Sequence, residues 1–190
     1  AAYDNSQKKI KADNVNVSKI SELYKYLKVV YFSPNDIEIA QGAPQVRRNF
    51  TDMAISQQNY NYMMLMKDFQ QILKQRNALL KYDFDKAEKR IWDKRFIDIS
   101  AKVIVNRMKY LEEFGKILTD KYNFISGNKE SITAEYICSA PLDINETLQE
   151  NLVEHFDNIE LKEIQNQRSL FGPHLDDVMF KLNGKPFRFY

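Results

Sequence analysis

Residues 85–122, DKAEKRIWDKRFIDISAKVIVNRMKYLEEFGKILTDKY, decide how this chain folds. Apolar or small residues recur along them at alternating intervals of four and three, at Ile97, Ala101, Ile104, Met108, Leu111, Gly115, Leu118 and Tyr122. That spacing is typical of the seam of a coiled-coil-like helix. One helix over all of these residues would extend about 55 Å, which is more than a compact core requires. The pattern therefore predicts a helix that projects from the rest of the fold.

The residues before this helix have the same helical periodicity, with no proline after Pro44. They form two apolar stripes, the first through Val46, Phe50, Met53 and Ala54, the second through Tyr62, Leu65, Met66, Phe69, Ile72, Leu73, Leu79 and Leu80. Helices with one apolar face bury it by packing against each other. We therefore predict an antiparallel helical lobe over residues 43–126.

Segments of β-like sequence precede the lobe. Residues 8–17 are predicted to form a strand or short hairpin, and the apolar run LKVVYF at 27–32 a buried strand. Ser33, Pro34 and Asp36 then have the residue types that open a helix, which ends at Gly42. Residues 1–42 are therefore predicted to hold strands and connecting helices.

Strand and helix patterns also follow the lobe, over residues 127–190. Residues 131–138 are predicted to be a strand, and Asp143 with Glu146 a capping box that opens a helix. A hairpin is predicted from 178–182 and 187–190, with its turn at Asn183 and Gly184. The fold class is therefore α+β, with a helical lobe inserted between β segments.

Composition excludes several classes of function. The 28 Lys and Arg against 26 Asp and Glu give a net charge of only +2, so contact with nucleic acid would depend on local clusters. Only five glycines occur, and none forms a phosphate-binding loop. Cys138 is the single cysteine, which fits a reducing compartment, and the cytoplasm is the expected location. No apolar run is long enough to span a membrane, so no membrane partner is expected.

Three stretches, in order along the chain, resemble the RecF family of bacterial recombinational-repair ATPases in the ABC/SMC superfamily. They are LYKYLKVVYFSPNDIEIAQGAPQVRRNF at 23–50, LKQRNALLK at 73–81 and SLFGPHLDDVMFKLNG at 169–184. The resemblance implies an antiparallel helical lid lobe inserted between β segments of an incomplete ABC-type ATPase head. Residues 1–42 and 127–190 would belong to that head and residues 43–126 to the lid.

In RecF proteins, the Walker A loop lies upstream of the resembling stretches, and the signature and Walker B motifs follow them. The resemblance therefore implies an internal fragment with no catalytic residue, metal site or cofactor of its own. The intact protein would bind ATP, Mg²⁺ and DNA, form an ATP-dependent homodimer and help to load recombinase at gaps with RecR-like and RecO-like partners. It would act in DNA replication, recombination and the SOS response.

Five basic residues are the predicted DNA contacts. Arg47 and Arg48 lie beside the first stripe in a resembling stretch, at the root of the lobe, and we expect both at the surface. Lys67, Lys74 and Lys81 recur every seven residues on the polar side of the second stripe. A solvated helix face without a ligand is the alternative for the lysines.

Arg76 falls inside the second apolar stripe, where an unpaired charge would cost several kcal/mol. It is therefore expected to have a partner. A carboxylate on the neighbouring helix, such as Glu112 or Glu113, is favoured over a phosphate held between helices.

His174, Asp176 and Asp177 have residue types that bind zinc or manganese, which would make the chain a small hydrolase. The favoured interpretation is structural: these side chains satisfy backbone donors where Gly172 and Pro173 turn the chain. A further alternative to a RecF-like fragment is a free-standing SMC-like helical interaction module.

Overall fold

The computed structural model describes residues 10–12, 14–17, 23, 27–82, 85–143 and 145–190. Its elements are, in order, β1 (Ile10–Ala12), β2 (Val15–Val17), a 3-10 turn (Pro34–Ile37), α1 (Glu38–Gln41), α2 (Pro44–Gln58), α3 (Tyr60–Leu79), α4 (Lys86–Ser126), β3 (Ile132–Ile137), α5 (Leu148–Asn166), β4 (Asp177–Leu182), β5 (Lys185–Pro186) and a last 3-10 turn (Phe187–Phe189). The predicted order of β segments, helical lobe and returning β segments is confirmed.

Local capping chemistry fixes where the lobe helices begin and end. The Asn59 side chain accepts hydrogen bonds from the first amides of α3, and Asp85 accepts one from the amide of Ala87 at the start of α4. α4 then runs for 41 residues and ends at Gly127, whose φ of 63° lies in the left-handed region. The predicted long helix is therefore confirmed and extends four residues beyond Tyr122, but its projection from the rest of the fold is not confirmed, because α3, α5 and β3 pack along it.

The main core lies between α3, α4 and α5. Phe69 on α3, Phe96 and Ile104 on α4, and Leu152 on α5 are all buried in one cluster. α5, assigned from the sequence to the head region, thus shares the core of α3 and α4. On α4 itself one position of the seam is wrong: Met108 is 43% exposed, whereas the neighbouring Arg107 faces inward and is 2% exposed.

The second half of α4 packs on a three-stranded antiparallel sheet in the order β3-β4-β5. Ile132 pairs with Leu182 and Ile137 with Asp177. Alternate residues of β4 face inward, so that Val178 and Phe180 join Leu111 of α4 in a second core cluster. This second cluster therefore lies between the second half of α4 and the sheet.

Two predicted strands are wrong. Residues 27–32 are not a strand: Val30 is 96% exposed and Phe32 is 85% exposed, because no segment in the described part of the chain pairs with them. Beyond the turn, where Asn183 and Gly184 have φ of 48° and 77°, β5 contains only Lys185–Pro186. Residues 187–189 form a 3-10 turn because Pro186 has no amide hydrogen to extend the ladder.

The capping box of α5 lies four residues beyond its predicted place. Thr147 and Glu150 form it, with the Thr147 amide donating to the Glu150 carboxylate at 2.8 Å. Asp143 instead accepts the Asn145 amide at 2.8 Å and closes a local turn. The hairpin expected at 8–17 is confirmed for β1 and β2; its first residues lie outside the described ones. Within the described residues, no helix has both the length and the apolar composition for a membrane span.

Candidate functional site

Arginines from three helices of the lobe converge on residues 169–177, which we call the connecting segment because they join α5 to β4. Arg107 of α4 donates to both carboxylate oxygens of Asp52 on α2, each at 2.9 Å, and to the Pro173 carbonyl at 2.6 Å. The Tyr62 hydroxyl donates to the same Asp52 carboxylate at 2.5 Å. Burial acts to lower the pKa of Arg107, but its hydrogen bonds and attraction to Asp52 outweigh burial and raise it. Arg107 is therefore a fixed cation inside the fold.

Arg47 of α2 holds the other end of the connecting segment. Its Nε and Nη2 donate to the Asp177 carboxylate at 2.8 and 2.9 Å, and Nη1 donates to the Gly42 carbonyl at 2.6 Å. Only 5% of Arg47 is exposed. The expectation that this side chain lies at the surface is therefore wrong: a carboxylate 130 residues away covers it. Its contact with DNA is not tested by this geometry and stays a prediction.

Arg48, the next residue of α2, is partly exposed. Its Nη1 donates to the Asp176 carbonyl at 2.6 Å, and Nη2 donates to Gln45 at 2.9 Å. Burial, together with repulsion from Arg107, lowers its pKa. The Arg48 side chain is therefore hydrogen-bonded to the connecting segment and is also partly accessible to solvent.

Arg76 of α3 is 1% exposed and has partners on two helices. It donates to Asp93 of α4 at 2.8 Å, to Glu163 of α5 at 2.5 Å and to the Ser169 hydroxyl at 2.6 Å. A structural carboxylate partner is therefore confirmed, but the named candidates are wrong. Glu112 forms an exposed pair with Lys116 instead, because it faces solvent on the far half of α4.

His174, Asp176 and Asp177 do not meet at one point. The Asp176 carboxylate accepts from the Tyr136 hydroxyl and from both the amide and the hydroxyl of Ser139. Asp177 is held by Arg47, as described above. No group of three potential metal ligands occurs within the described residues. The structural interpretation of these residues therefore has geometric support that the metal site lacks.

The environment of His174 is apolar. Its ring lies 6.2 Å from that of Phe69 and 6.3 Å from that of Phe96, measured between ring centroids. Burial lowers its pKa to about 4. The side chain is therefore neutral near pH 7 and acts as part of the core.

Lys67, Lys74 and Lys81 are all exposed, as predicted. Lys67 and Lys74 lie on α3, and Lys81 lies in the turn that follows it. Lys74 and Lys81 make no ion pair with any residue in the described ranges. These lysines are therefore free to meet an external anion, unlike the buried arginines.

Sequence reasoning missed the partly exposed Asp52 and the buried Asp93, Arg107 and Glu163. The sequence held a signal for Asp93, Arg107 and Glu163, because each lies on an apolar stripe at helical spacing. Arg107 is three residues after Ile104, and Asp93 is four residues before Ile97. A charge on such a stripe predicts burial and a partner, although it does not identify that partner.

Comparisons with known proteins give a consistent result. No family model matches the chain. It is similar to the DNA replication and repair protein RecF of Geotalea daltonii, with 31% identity over 97% of the chain and 51% of the relative. The corresponding protein of Geotalea uraniireducens is 34% identical over 97% of this chain and 51% of the relative. That of Enterococcus faecalis is 32% identical over 98% of this chain and 52% of the relative.

Solved structures show the same likeness. A structure of the recombination mediator protein RecF-ATP in the RecFOR pathway has a TM-score of 0.87 and 27% identity, over 98% of this chain and 51% of that one. A RecF-ATPrS structure has a TM-score of 0.86 and 26% identity. The predicted resemblance to RecF and the predicted α+β fold of an ABC-type ATPase fragment are confirmed. The chain spans about half the length of the curated relatives it matches.

Proposed function

Since the chain corresponds over nearly its whole length to part of a RecF protein, we propose that it forms the helical lid lobe and adjoining strands of a RecF-type DNA-repair ATPase. The observation that carries this proposal is the likeness to the RecF-ATP structure over 98% of the chain. The intact protein would bind ATP with Mg²⁺, bind DNA and dimerise. With RecR-like and RecO-like partners it would help to load recombinase at gaps, in the cytoplasm.

We assign ATP and Mg²⁺ to the intact protein and not to these residues. No glycine-rich loop is present to surround a triphosphate, and the guanidinium groups of Arg47, Arg76 and Arg107 donate to acceptors within the chain. The chain's own part in the proposed activity is therefore to present a surface to DNA and to hold the connecting segment in place.

The DNA-contacting surface that we propose is the lysine face of Lys67, Lys74 and Lys81, with Arg48 at its root. Exposed, unpaired ammonium groups displace the counterions that surround DNA phosphates. The release of these counterions is the main source of sequence-independent affinity. Arg47 ranks below them, because a DNA phosphate would have to displace its Asp177 partner. We therefore rank the lysine face above Arg47 as the site of DNA contact.

Binding of the chain to unrelated duplexes, measured by fluorescence anisotropy across a salt series, tests this surface. Replacing Lys67, Lys74 and Lys81 with alanine should flatten the slope of log affinity against log salt by up to about 2.7, or about 0.9 for each lost phosphate contact. A matched control exists on α4, where Lys102, Lys109 and Lys116 are exposed with the same seven-residue spacing. Replacing those three should leave the slope unchanged.

The two triple variants separate the possible outcomes. A slope that changes only in the α4 variant would place DNA on the other helix and refute the lysine face. If the wild-type chain binds no DNA even at low salt, the proposal that this part of the protein contacts DNA fails. The free-standing interaction module then becomes the better description.

A further inference from the structure

The connecting segment is hydrogen-bonded to all four long helices, through Ser169, Leu170, Pro173, Asp176 and Asp177. Besides its bonds to Arg47, Arg48 and Arg107, the Leu170 amide donates to Glu163 of α5 at 2.7 Å. The Ser169 amide and hydroxyl both donate to Asn77 of α3 at 2.8 Å. A loop usually has few such bonds and moves independently of the elements that it joins. This one is fixed to the lobe.

Packing in the middle of the segment is equally close. Gly172 has φ of 111°, and a Cβ atom there would lie 2.8 Å from Cζ of Phe96 on α4. Its amide donates to the Ser139 hydroxyl at 2.8 Å, which ties the segment to the end of β3 as well. The backbone can therefore shift at this point only if α4 or β3 shifts with it.

The segment leads without a break into β4. Asp177, the partner of Arg47, is the first residue of that strand and pairs with Ile137 of β3. A displacement of α2, α3 or α4 is therefore transmitted through arginine side chains to the start of β4. Packed elements of this kind move between discrete arrangements and do not deform continuously.

We propose that residues 169–177 are the element through which DNA bound on the helical lobe changes the rate of ATP hydrolysis, with Arg107 as its positioning residue. This inference rests on the proposed function, since it requires that the intact protein bind DNA and convert ATP and water to ADP and phosphate. Arg107 is the positioning residue because, of the described residues, it alone joins α4, α2 and the Pro173 carbonyl. It acts through the segment and touches neither nucleotide nor DNA.

The first test is hydrogen exchange in the chain alone, which does not depend on the proposed function. Arg107→Lys keeps the charge but replaces the three guanidinium nitrogens that bond Asp52 and the Pro173 carbonyl with a single ammonium nitrogen. We expect amides of residues 169–177 to exchange at least tenfold faster in this variant, while those in the middle of α5 change less than twofold. Lys116→Ala on the same helix is the control, because its pair with Glu112 is exposed.

The second test uses the intact RecF-type protein that contains this chain, with phosphate release measured with and without saturating duplex DNA. In Arg107→Lys we expect DNA stimulation to fall at least fivefold through kcat, while KM for ATP and the Kd for DNA change less than twofold. Asp52→Asn, which removes the partner of Arg107, should have the same effect. Lys116→Ala should keep the stimulation.

The outcomes separate the two proposals. A wild-type protein that binds DNA and hydrolyses ATP at a rate that does not respond to DNA overturns the coupling alone, whereas one that neither binds DNA nor hydrolyses ATP overturns the proposed function as well. A responsive wild type with full stimulation in Arg107→Lys overturns the coupling alone, as does unchanged exchange in residues 169–177. If circular dichroism shows that Arg107→Lys does not fold, Asp52→Asn alone serves as the test, because it changes only the charge of a partly exposed carboxylate that bonds Arg107.

Discussion

Replacing Arg76 with methionine should destabilise the chain strongly. The substitution keeps most of the apolar stem but removes bonds to Asp93, Glu163 and Ser169. Asp93 retains Lys89, whose Nζ lies 2.7 Å from its carboxylate, so Glu163 is the group that loses its only ion-pair partner among the described residues. Glu163 is fully buried. Breaking a buried pair from one side costs about 3–5 kcal/mol, and we expect a loss in that range.

A second substitution shows whether the unpaired charge is the cause. Glu163→Gln in the Arg76→Met background removes the charge but keeps an oxygen that can accept the Leu170 amide. We expect the double variant to recover at least half of the lost stability, because a neutral amide is much cheaper to bury than an unpaired carboxylate. Lys116→Met is the control for loss of an exposed ion pair and should change stability by less than about 0.5 kcal/mol.

Urea unfolding of the 190-residue chain, followed by circular dichroism at constant pH, measures all three variants. A loss below about 1 kcal/mol in Arg76→Met would mean that water or a rearranged side chain compensates Glu163, and would refute the assignment of Arg76 as a structural cation. A double variant that is no more stable than Arg76→Met would refute the unpaired charge as the cause.

Three further predictions concern the connecting segment and the nucleotide. Gly172→Ala should cost roughly 1–3 kcal/mol in urea unfolding because its new Cβ would overlap Phe96, whereas Gly115→Ala, which meets no atom within 4 Å, should be neutral or stabilising. Folding lowers the pKa of His174 from 6.5 to about 4. As the pH falls between these values, the unfolded chain binds a proton that the folded chain does not, so the free energy of unfolding should decrease. His174→Gln should flatten that part of the pH profile, and an unchanged profile would contradict the buried neutral ring. The purified chain should show no saturable ATP binding at micromolar concentrations in calorimetry, since it has no phosphate-binding loop; saturation there would contradict the assignment of ATP to the intact protein.

The helices of the lobe were predictable because their signals are local. The spacing through Ile97, Ala101 and Ile104 and the left-handed stop at Gly127 depend only on neighbours within a few turns. The ion pairs were not predictable from the sequence. Arg47 and Asp177, for example, are 130 residues apart, and the residues around each do not identify the other. The run at 27–32 failed for a related reason: its residues favour a strand, but a strand also requires a partner, and the described part of the chain supplies none.

The difference between buried, paired cations and exposed cations decides where contact with DNA is expected. Four buried cations, Arg47, Arg76, Lys89 and Arg107, form ion pairs with five carboxylates, those of Asp52, Asp93, Glu160, Glu163 and Asp177. This network has a formal charge of −1, four cations against five carboxylates, so a formal charge of +3 lies on the other residues. A buried network without net positive charge offers little long-range attraction to a polyanion, however many arginines it contains. Contact with phosphate therefore depends on cations outside it, and Lys67, Lys74 and Lys81 form such a row on the lobe.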